Sequence, residues 1–486
     1  MNYLKNKSII QLVLFTLIFF SFLLLITNSK LDVTTSSDDN QYWTLGIHHA
    51  ITNSYGISNA ESVLLDDPSY ALANNGIRRG EVLYPIYIST IIKATLDRNQ
   101  LTKLSSDCIY NIEYGGCSSL KNSIKYVNLI PKILFFIFLT LFIFTNTLNL
   151  YKKIFLITIF IYTFPSYNKD SLTYLLICLF CYFYLNKFKK ISYLILSLIP
   201  LINPVFLYSL YIFLLVEFYL IFKEDKLNYK KALILFLLLP SMLWSFRNYK
   251  TNEVFSIADR GPLILTIRAE FMSEDYEKLK DAYFWYTPSN IITSKVKLYW
   301  LGQSNSLESS RELYDRGNPN CIVCRRHTEN GYVFQKLLKN YKQNYGNLTE
   351  VLADHEYTKV NDQLYEISKS TFIKNPKKFL FLTTVFSYRG LFPEFNNINF
   401  TNNSFNNLLS VYLSLLRMLF LPSLLCFIIF QLIKNKNSTL GNQIVLMFLF
   451  LFSFYSGLTH FIPRYSALIV PLAIYSYISI SSKQYS

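Results

Sequence analysis

Charge is in short supply in this chain: Asp, Glu, Lys and Arg together make up 16% of its 486 residues, against 51% hydrophobic. Its long apolar blocks lack the period-3.6 or period-2 alternation that a soluble domain of this size would show. There is no Walker loop, GxGxxG fingerprint or HExxH motif, which argues against nucleotide-driven and zinc-protease chemistry. No small-x-small cleavage site follows the first apolar run, so Lys5 and Lys7 introduce a retained signal-anchor helix rather than a removable leader. An inverted internal repeat, the mark of many transporters, is also missing. The formal charge of +16 is spread over short connections instead of one soluble domain, so no nucleic-acid partner is expected.

The apolar blocks themselves are abundant: Ile9–Thr27, Leu129–Leu148, Ile154–Phe164, Leu172–Leu185, Ile191–Phe222, Ala232–Trp244, Leu408–Ile433, Ile444–Leu458 and Tyr465–Ile480. Helix is the economical way to satisfy a backbone in lipid, and a span takes roughly 20 residues. The expected fold is therefore an all-α polytopic membrane protein with about ten transmembrane helices and a small mixed extracytoplasmic domain. Tyr151-Lys152-Lys153, Lys187–Lys190, Lys223–Lys231 and Lys434–Lys436 are short basic connections, which places them on the cytoplasmic side, facing anionic membrane lipids. Both ends are then cytoplasmic, in a multi-pass protein of the cytoplasmic membrane. Three regions follow. Residues 1–246 form a transmembrane module whose first outer loop is 28–126. Residues 247–376 form an outer domain. Residues 377–486 hold the last spans, preceded by an amphipathic segment, Phe379–Phe392, that lies on the outer interface.

Four polar constellations fall on that outer face. The first is Asp38-Asp39-Asn40-Gln41-Tyr42, leading into a helical stretch from Tyr42 to Ala50. Adjacent carboxylates raise each other's proton affinity, which suits one of them to general-base work. By spacing alone, a solvated helix cap is the commoner meaning of such a pair. Asp66-Asp67-Pro68 competes with it but reads as a turn. The second constellation is Arg78-Arg79-Gly80-Glu81-Val82-Leu83-Tyr84-Pro85, where paired arginines can hold a phosphate or simply lipid headgroups. The third is Arg247-Asn248-Tyr249, and the fourth His460–Tyr465 with Arg464. Arg417, inside an apolar run, adds another cation and is a site candidate by that placement alone, although snorkelling is the alternative. Glu217, near the cytoplasmic end of its span, reads as structural. On an oxidising face, Cys108/Cys117 and Cys321/Cys324 read as local disulfides; the latter pair, with His327, is a weak zinc signal. Cys178, Cys181 and Cys426 read as buried apolar residues.

In this order the motifs resemble the GT-C class of polytopic glycosyltransferases, especially bacterial relatives of dolichyl-phosphate-mannose–protein mannosyltransferases and of the lipid A aminoarabinose transferase. The resemblance rests on Asp38, Asp39 and Tyr42; on Arg79, Tyr84 and Pro85; and on the Pro165–Asp170 turn. It continues through Arg247–Tyr249 with Phe255-Ser256-Ile257 and Gly261, then Asn375, Pro376 and Phe379, and finally Arg464, Tyr465 and Pro471. Each motif is short; their order and placement carry the likeness, and residues 260–370 are its least familiar part. Asn203-Pro204 departs from an expected Arg-Pro.

What the resemblance implies is inverting transfer of a sugar from a polyprenyl-phosphate donor to a lipid, polysaccharide or protein acceptor at the extracytoplasmic face. Asp38 would be the general base, supported by Asp39 and Tyr42, with Arg79, Tyr84, Arg247, Arg417 and Arg464 binding the donor phosphate and substrate. A divalent metal at Asp38 and Asp39 is a further option, which two carboxylates alone do not establish. The rivals are a lipid-linked polysaccharide polymerase or ligase, and a non-enzymatic flippase or transporter.

Overall fold

The computed structural model describes Thr16 and residues 37–53, 82–104, 118–145, 148–165, 168–223, 233–252, 255–257, 261–276, 279–280, 283, 286, 331–341, 357–394, 403–434, 442–459 and 463–483. These residues form α-helices and short 3-10 turns, with no strand among them. The first helices are α1 (Ser37–Thr52), α2 (Leu83–Thr95), α3 (Arg98–Lys103), α4 (Lys121–Thr145), α5 (Leu150–Thr163) and α6 (Asn168–Leu185). Next come α7 (Lys189–Leu198), α8 (Phe206–Lys223), α9 (Leu239–Asn252), α10 (Gly261–Ser273), α11 (Tyr332–Tyr341) and α12 (Tyr357–Lys374). The chain then runs through α13 (Pro376–Gly390), α14 (Asn403–Lys434), α15 (Gln443–Leu458) and α16 (Pro463–Lys483).

Local chemistry sets several of these boundaries. Asn149 and Asn442 cap α5 and α15 through side-chain oxygens, and Pro376 opens α13, where no backbone donor is needed. The break between α7 and α8 falls at Asn203-Pro204, as expected from the proline.

The last helix is the hub. α16 packs on α5, α6, α13, α14 and α15, and Leu468, Ile469, Val470, Leu472, Ala473 and Ile474 are all fully buried. A helix that is apolar all round belongs in such a position. The α1–α2 pair sits to one side, with its own core of Tyr42, Trp43, Ile47, Tyr84, Ile88 and Ile92. Gly46 permits its close approach, because a Cβ there would lie 2.6 Å from Ile88 Cγ2.

Two described helical stretches, Lys121–Ile143 and Val411–Lys434, are long and apolar enough to cross a membrane. Their outward faces are apolar as well: Ile133, Leu134 and Ile137 on α4, and Leu415, Leu419 and Phe430 on α14, are exposed. Apolar faces of this extent mark contact with lipid or protein. The expected count of spans is not reached among the described residues. Of the first expected span only Thr16 is among them, while α5 and α9 have 14 residues each and α15 has 16. At the α-helical rise these three reach about 21–24 Å, short of a hydrocarbon core of about 30 Å. At α9 the 3-10 segment Leu233–Leu238 takes up the start of the apolar block that a hydropathy reading counts as span.

In the region expected to be a mixed outer domain, the described elements are all helices. α10, α11 and α12 share a small core of Ala269, Val333, Phe334, Leu337, Val360 and Leu364. Glu270 holds α11 by accepting from the backbone N–H groups of Tyr332 (2.9 Å) and Val333 (2.7 Å), where the helix dipole favours an anion. Arg268 ties α10 to the bundle. Wholly buried, it donates to the Ser456 and Thr459 carbonyls at 2.7 and 3.2 Å, to the Phe379 carbonyl at 3.0 Å and to Thr383. Its guanidinium thus satisfies carbonyls at the C-terminal end of α15, where a cation suits the dipole. The amphipathic segment becomes α13, which buries Leu382, Val385 and Phe386 and leaves Leu380 exposed.

Cys178 and Cys181 are buried free thiols, but Cys426 is exposed, contrary to expectation. It lies on α14, whose outward face is apolar rather than packed.

Candidate functional site

The carboxylate pair starts its helix instead of preceding it. Asp38 and Asp39 occupy the first turn of α1, and Asp38 stands one helical turn before Tyr42. Tyr42 is 1% exposed and meets Tyr84 of α2 edge to face at 5.5 Å. Two residues named by separate motifs are thereby in contact.

Tyr42 also touches the start of α6. Lys169 Nζ donates to the Tyr42 hydroxyl at 2.9 Å and lies 5.0 Å from its ring centroid. The next residue, Asp170, is paired with Arg464 at the start of α16. The Asp170 side chain is 2% exposed and that of Arg464 21%, so the carboxylate is enclosed while the guanidinium keeps an open edge. Beside Arg464, Tyr465 stacks on Tyr455 of α15 at 5.0 Å.

A second carboxylate and a second guanidinium complete the cluster. Glu394 lies just after α13 and feels the charges of Arg464, Arg417 and Asp170. Burial pushes its carboxyl above the usual range and Asp170 adds to this, while Arg464 and Arg417 oppose it. Arg417 Nη2 donates to the Phe392 carbonyl at 3.4 Å, and its buried Nε has no hydrogen-bond partner among the described residues. Arg417 and Arg464 thus face Glu394 and Asp170, with Lys169 next to Asp170 in the chain and its ammonium on Tyr42. Such a cluster can bind an anion by charge and by guanidinium hydrogen bonds, and its elevated carboxyl can exchange a proton.

The structure thus joins Tyr42 to Tyr84, and Arg464 to Arg417 through Glu394. Arg247 stands elsewhere: α9 packs mainly on α7 and the 3-10 turns, and Arg247 stacks on Trp244 at 4.6 Å. Asn248 is buried and donates to the Ser256 carbonyl at 2.9 Å, so this motif organises a turn. Arg78, Arg79, Asp66, Asp67, His460, His327, Cys108, Cys117, Cys321 and Cys324 lie outside the described residues, as do the Asp38 and Asp39 side chains. Among the described residues no group of three His, Cys, Asp or Glu side chains could hold a metal.

Lys169 and Glu394 escaped the motif reading. For Glu394 there was a signal, since it is the sole carboxylate in residues 367–486. Asp170 is likewise alone in residues 114–216.

Glu217 is the buried carboxylate of the opposite end. It accepts from Tyr184 (3.2 Å), Tyr193 (3.1 Å) and Gln443 (3.2 Å), in keeping with a structural role.

No family model, curated protein or solved structure matches this chain.

Proposed function

We propose that this chain is a membrane-embedded glycosyltransferase of GT-C type, with about ten spans, that moves a sugar from a polyprenyl-phosphate donor to an acceptor hydroxyl at the extracytoplasmic face. The observation that carries the reading is the run Tyr42–Lys169–Asp170–Arg464, which links the helix bearing Asp38 and Asp39 to a cationic, half-buried cluster. A donor phosphate would complete that cluster, and the buried Arg417 Nε is a donor in need of an acceptor.

In this mechanism Asp38 takes the proton of the acceptor hydroxyl as its oxygen bonds to the anomeric carbon. The bond from that carbon to the phosphate oxygen breaks, and the phosphate leaves with the electron pair. Charge grows on the leaving phosphate, so Arg464 and Arg417 stabilise the transition state more than the ground state. Asp170 holds Arg464 in place, and Tyr42 and Tyr84 set the helix that carries the base. Arg79 remains a candidate contact to the donor; Arg247 is better placed as a support of the outer region. A divalent metal at Asp38 and Asp39 would serve as an additional Lewis acid on the leaving group.

Purified protein given polyprenyl-phosphate sugars and membrane acceptors tests the reading. Asp38→Asn should abolish transfer at unchanged protein level, and retained transfer would remove Asp38 from the mechanism. Absence of transfer by the parent protein with every such donor would instead favour the flippase or ligase alternatives.

A further inference from the structure

On the flank of the bundle, α5 and α14 each pack on α16 but scarcely on one another. The gap between them is an open groove with a volume of ≈ 580 Å³. That size lies within the range of about 300–1,000 Å³ typical of small-ligand sites. Phe155, Leu156, Leu416, Phe420, Leu424 and Phe427 wall it. Along α14 it extends from Tyr412 to Phe427, about 22 Å of helix. Phe155 and Phe420 meet across it with ring centroids 6.1 Å apart.

The groove is polar at one end in a particular way. Among the described residues Lys152 is its only charged lining residue, and its ammonium sits 5.8 Å from the Tyr477 ring centroid. A long apolar trough with a cation at its mouth matches a chain amphiphile with an anionic head. Lys152 lies at the first turn of α5, whereas Asp170 follows the far end of that helix, about 17 Å away along its axis. A donor phosphate seated at Arg464 would leave Lys152 unused, so a different lipid is required.

We propose that the α5–α14 groove holds one acyl chain of an anionic glycerophospholipid from the leaflet bordering Lys152, with its headgroup phosphate paired to that lysine. This depends on the membrane setting and not on the glycosyltransferase reading. The bound lipid seals a gap that helix packing leaves open, and it links α5 to α14.

Full-length protein in phosphatidylcholine nanodiscs, carrying a trace of phosphatidylglycerol or phosphatidylcholine with a photoactivatable acyl chain, provides the test. Phosphatidylglycerol should label groove residues of α5 and α14 about fivefold more than phosphatidylcholine, the gain expected from one interfacial lysine. Lys152→Ala should erase that preference and Lys152→Arg should keep it. Ser423 also lines the trough, and Ser423→Trp, which fills it, should reduce labelling by either lipid. Equal labelling by the two lipids in the parent protein overturns the proposal. So does labelling that only polyprenyl phosphate displaces and that ignores Lys152→Ala.

Discussion

Asp170→Asn removes one charge of the Asp170–Arg464 pair while keeping the side chain's shape, and it isolates what that pair contributes to holding α6 against α16. Losing one partner of a buried ion pair costs about 3–5 kcal/mol, because the survivor stays desolvated and uncompensated. Here the carboxylate is enclosed but the Arg464 side chain is 21% exposed, so water can reach part of the orphaned guanidinium. A loss of about 2–4 kcal/mol is therefore expected. Arg464→Gln should cost a similar amount, and the double variant no more than the worse single one. That pattern corresponds to a coupling as large as the smaller single effect, about 2–4 kcal/mol in a double-mutant cycle. Unfolding can be followed in detergent with a thiol-reactive fluorogenic dye: Cys178 and Cys181 are buried and respond only when the bundle opens, while exposed Cys426, with any signal from Cys108, Cys117, Cys321 and Cys324 before melting, sets the baseline. Additive single effects, with a coupling under about 0.5 kcal/mol, would refute a joint structural role for the pair.

Gly46→Ala should force α1 and α2 apart, because the new Cβ would meet Ile88 Cγ2 at 2.6 Å and Ile88 Cβ at 2.8 Å. Overpacking of this kind costs about 1–3 kcal/mol, and the dye melt should show it while Ile88→Ala in the same background restores part of the loss. Arg268→Met keeps much of the side-chain volume but takes a donor from the Ser456 and Thr459 carbonyls, whereas the Phe379 carbonyl still accepts from Thr383. Each abandoned group costs about 1–3 kcal/mol, so limited proteolysis should detach the α10–α12 region at lower protease levels; unchanged cleavage would show that other contacts hold it. Glu394 supplies a pH signature. Its raised carboxyl means that the native state binds more protons than the unfolded chain above the ordinary value of 4.5, so stability falls as pH rises through the weakly acidic range. Glu394→Gln should flatten that decline, and an unchanged slope would assign it to other groups.

The helical class was legible because apolar blocks without alternation leave little choice of backbone, and the proline at position 204 does divide α7 from α8. Helix length was not legible. Ala232–Trp244 reads as one apolar block, but Leu233–Leu238 winds as a 3-10 turn before α9 begins at Leu239. Hydropathy counts apolar residues and is blind to the turn geometry that shortens a span. Burial of Cys426 failed for a related reason: an apolar helix in lipid need not be covered by protein, so apolar surroundings in sequence do not predict packing.

Two halves of the cluster were visible singly, Asp170 in a turn motif and Arg464 in a terminal one, but 294 residues separate them and no local pattern couples them. Isolation is a more general guide. A carboxylate buried in apolar surroundings must be neutralised, paired or hydrogen-bonded. A solitary acid in a long basic and apolar stretch therefore predicts a distant partner, as Asp170 and Glu394 both illustrate. Glu217 limits what that argument can deliver. It is just as buried, yet among the described residues two tyrosines and a glutamine satisfy it without a cation. Scarcity locates the buried acid, and only the charge of its donors separates an anion-binding cluster from a packing bond. At the Asp170 end those donors are guanidiniums, one of which retains an unmatched buried nitrogen, and that asymmetry is what directs the search for a phosphate to this end of the bundle.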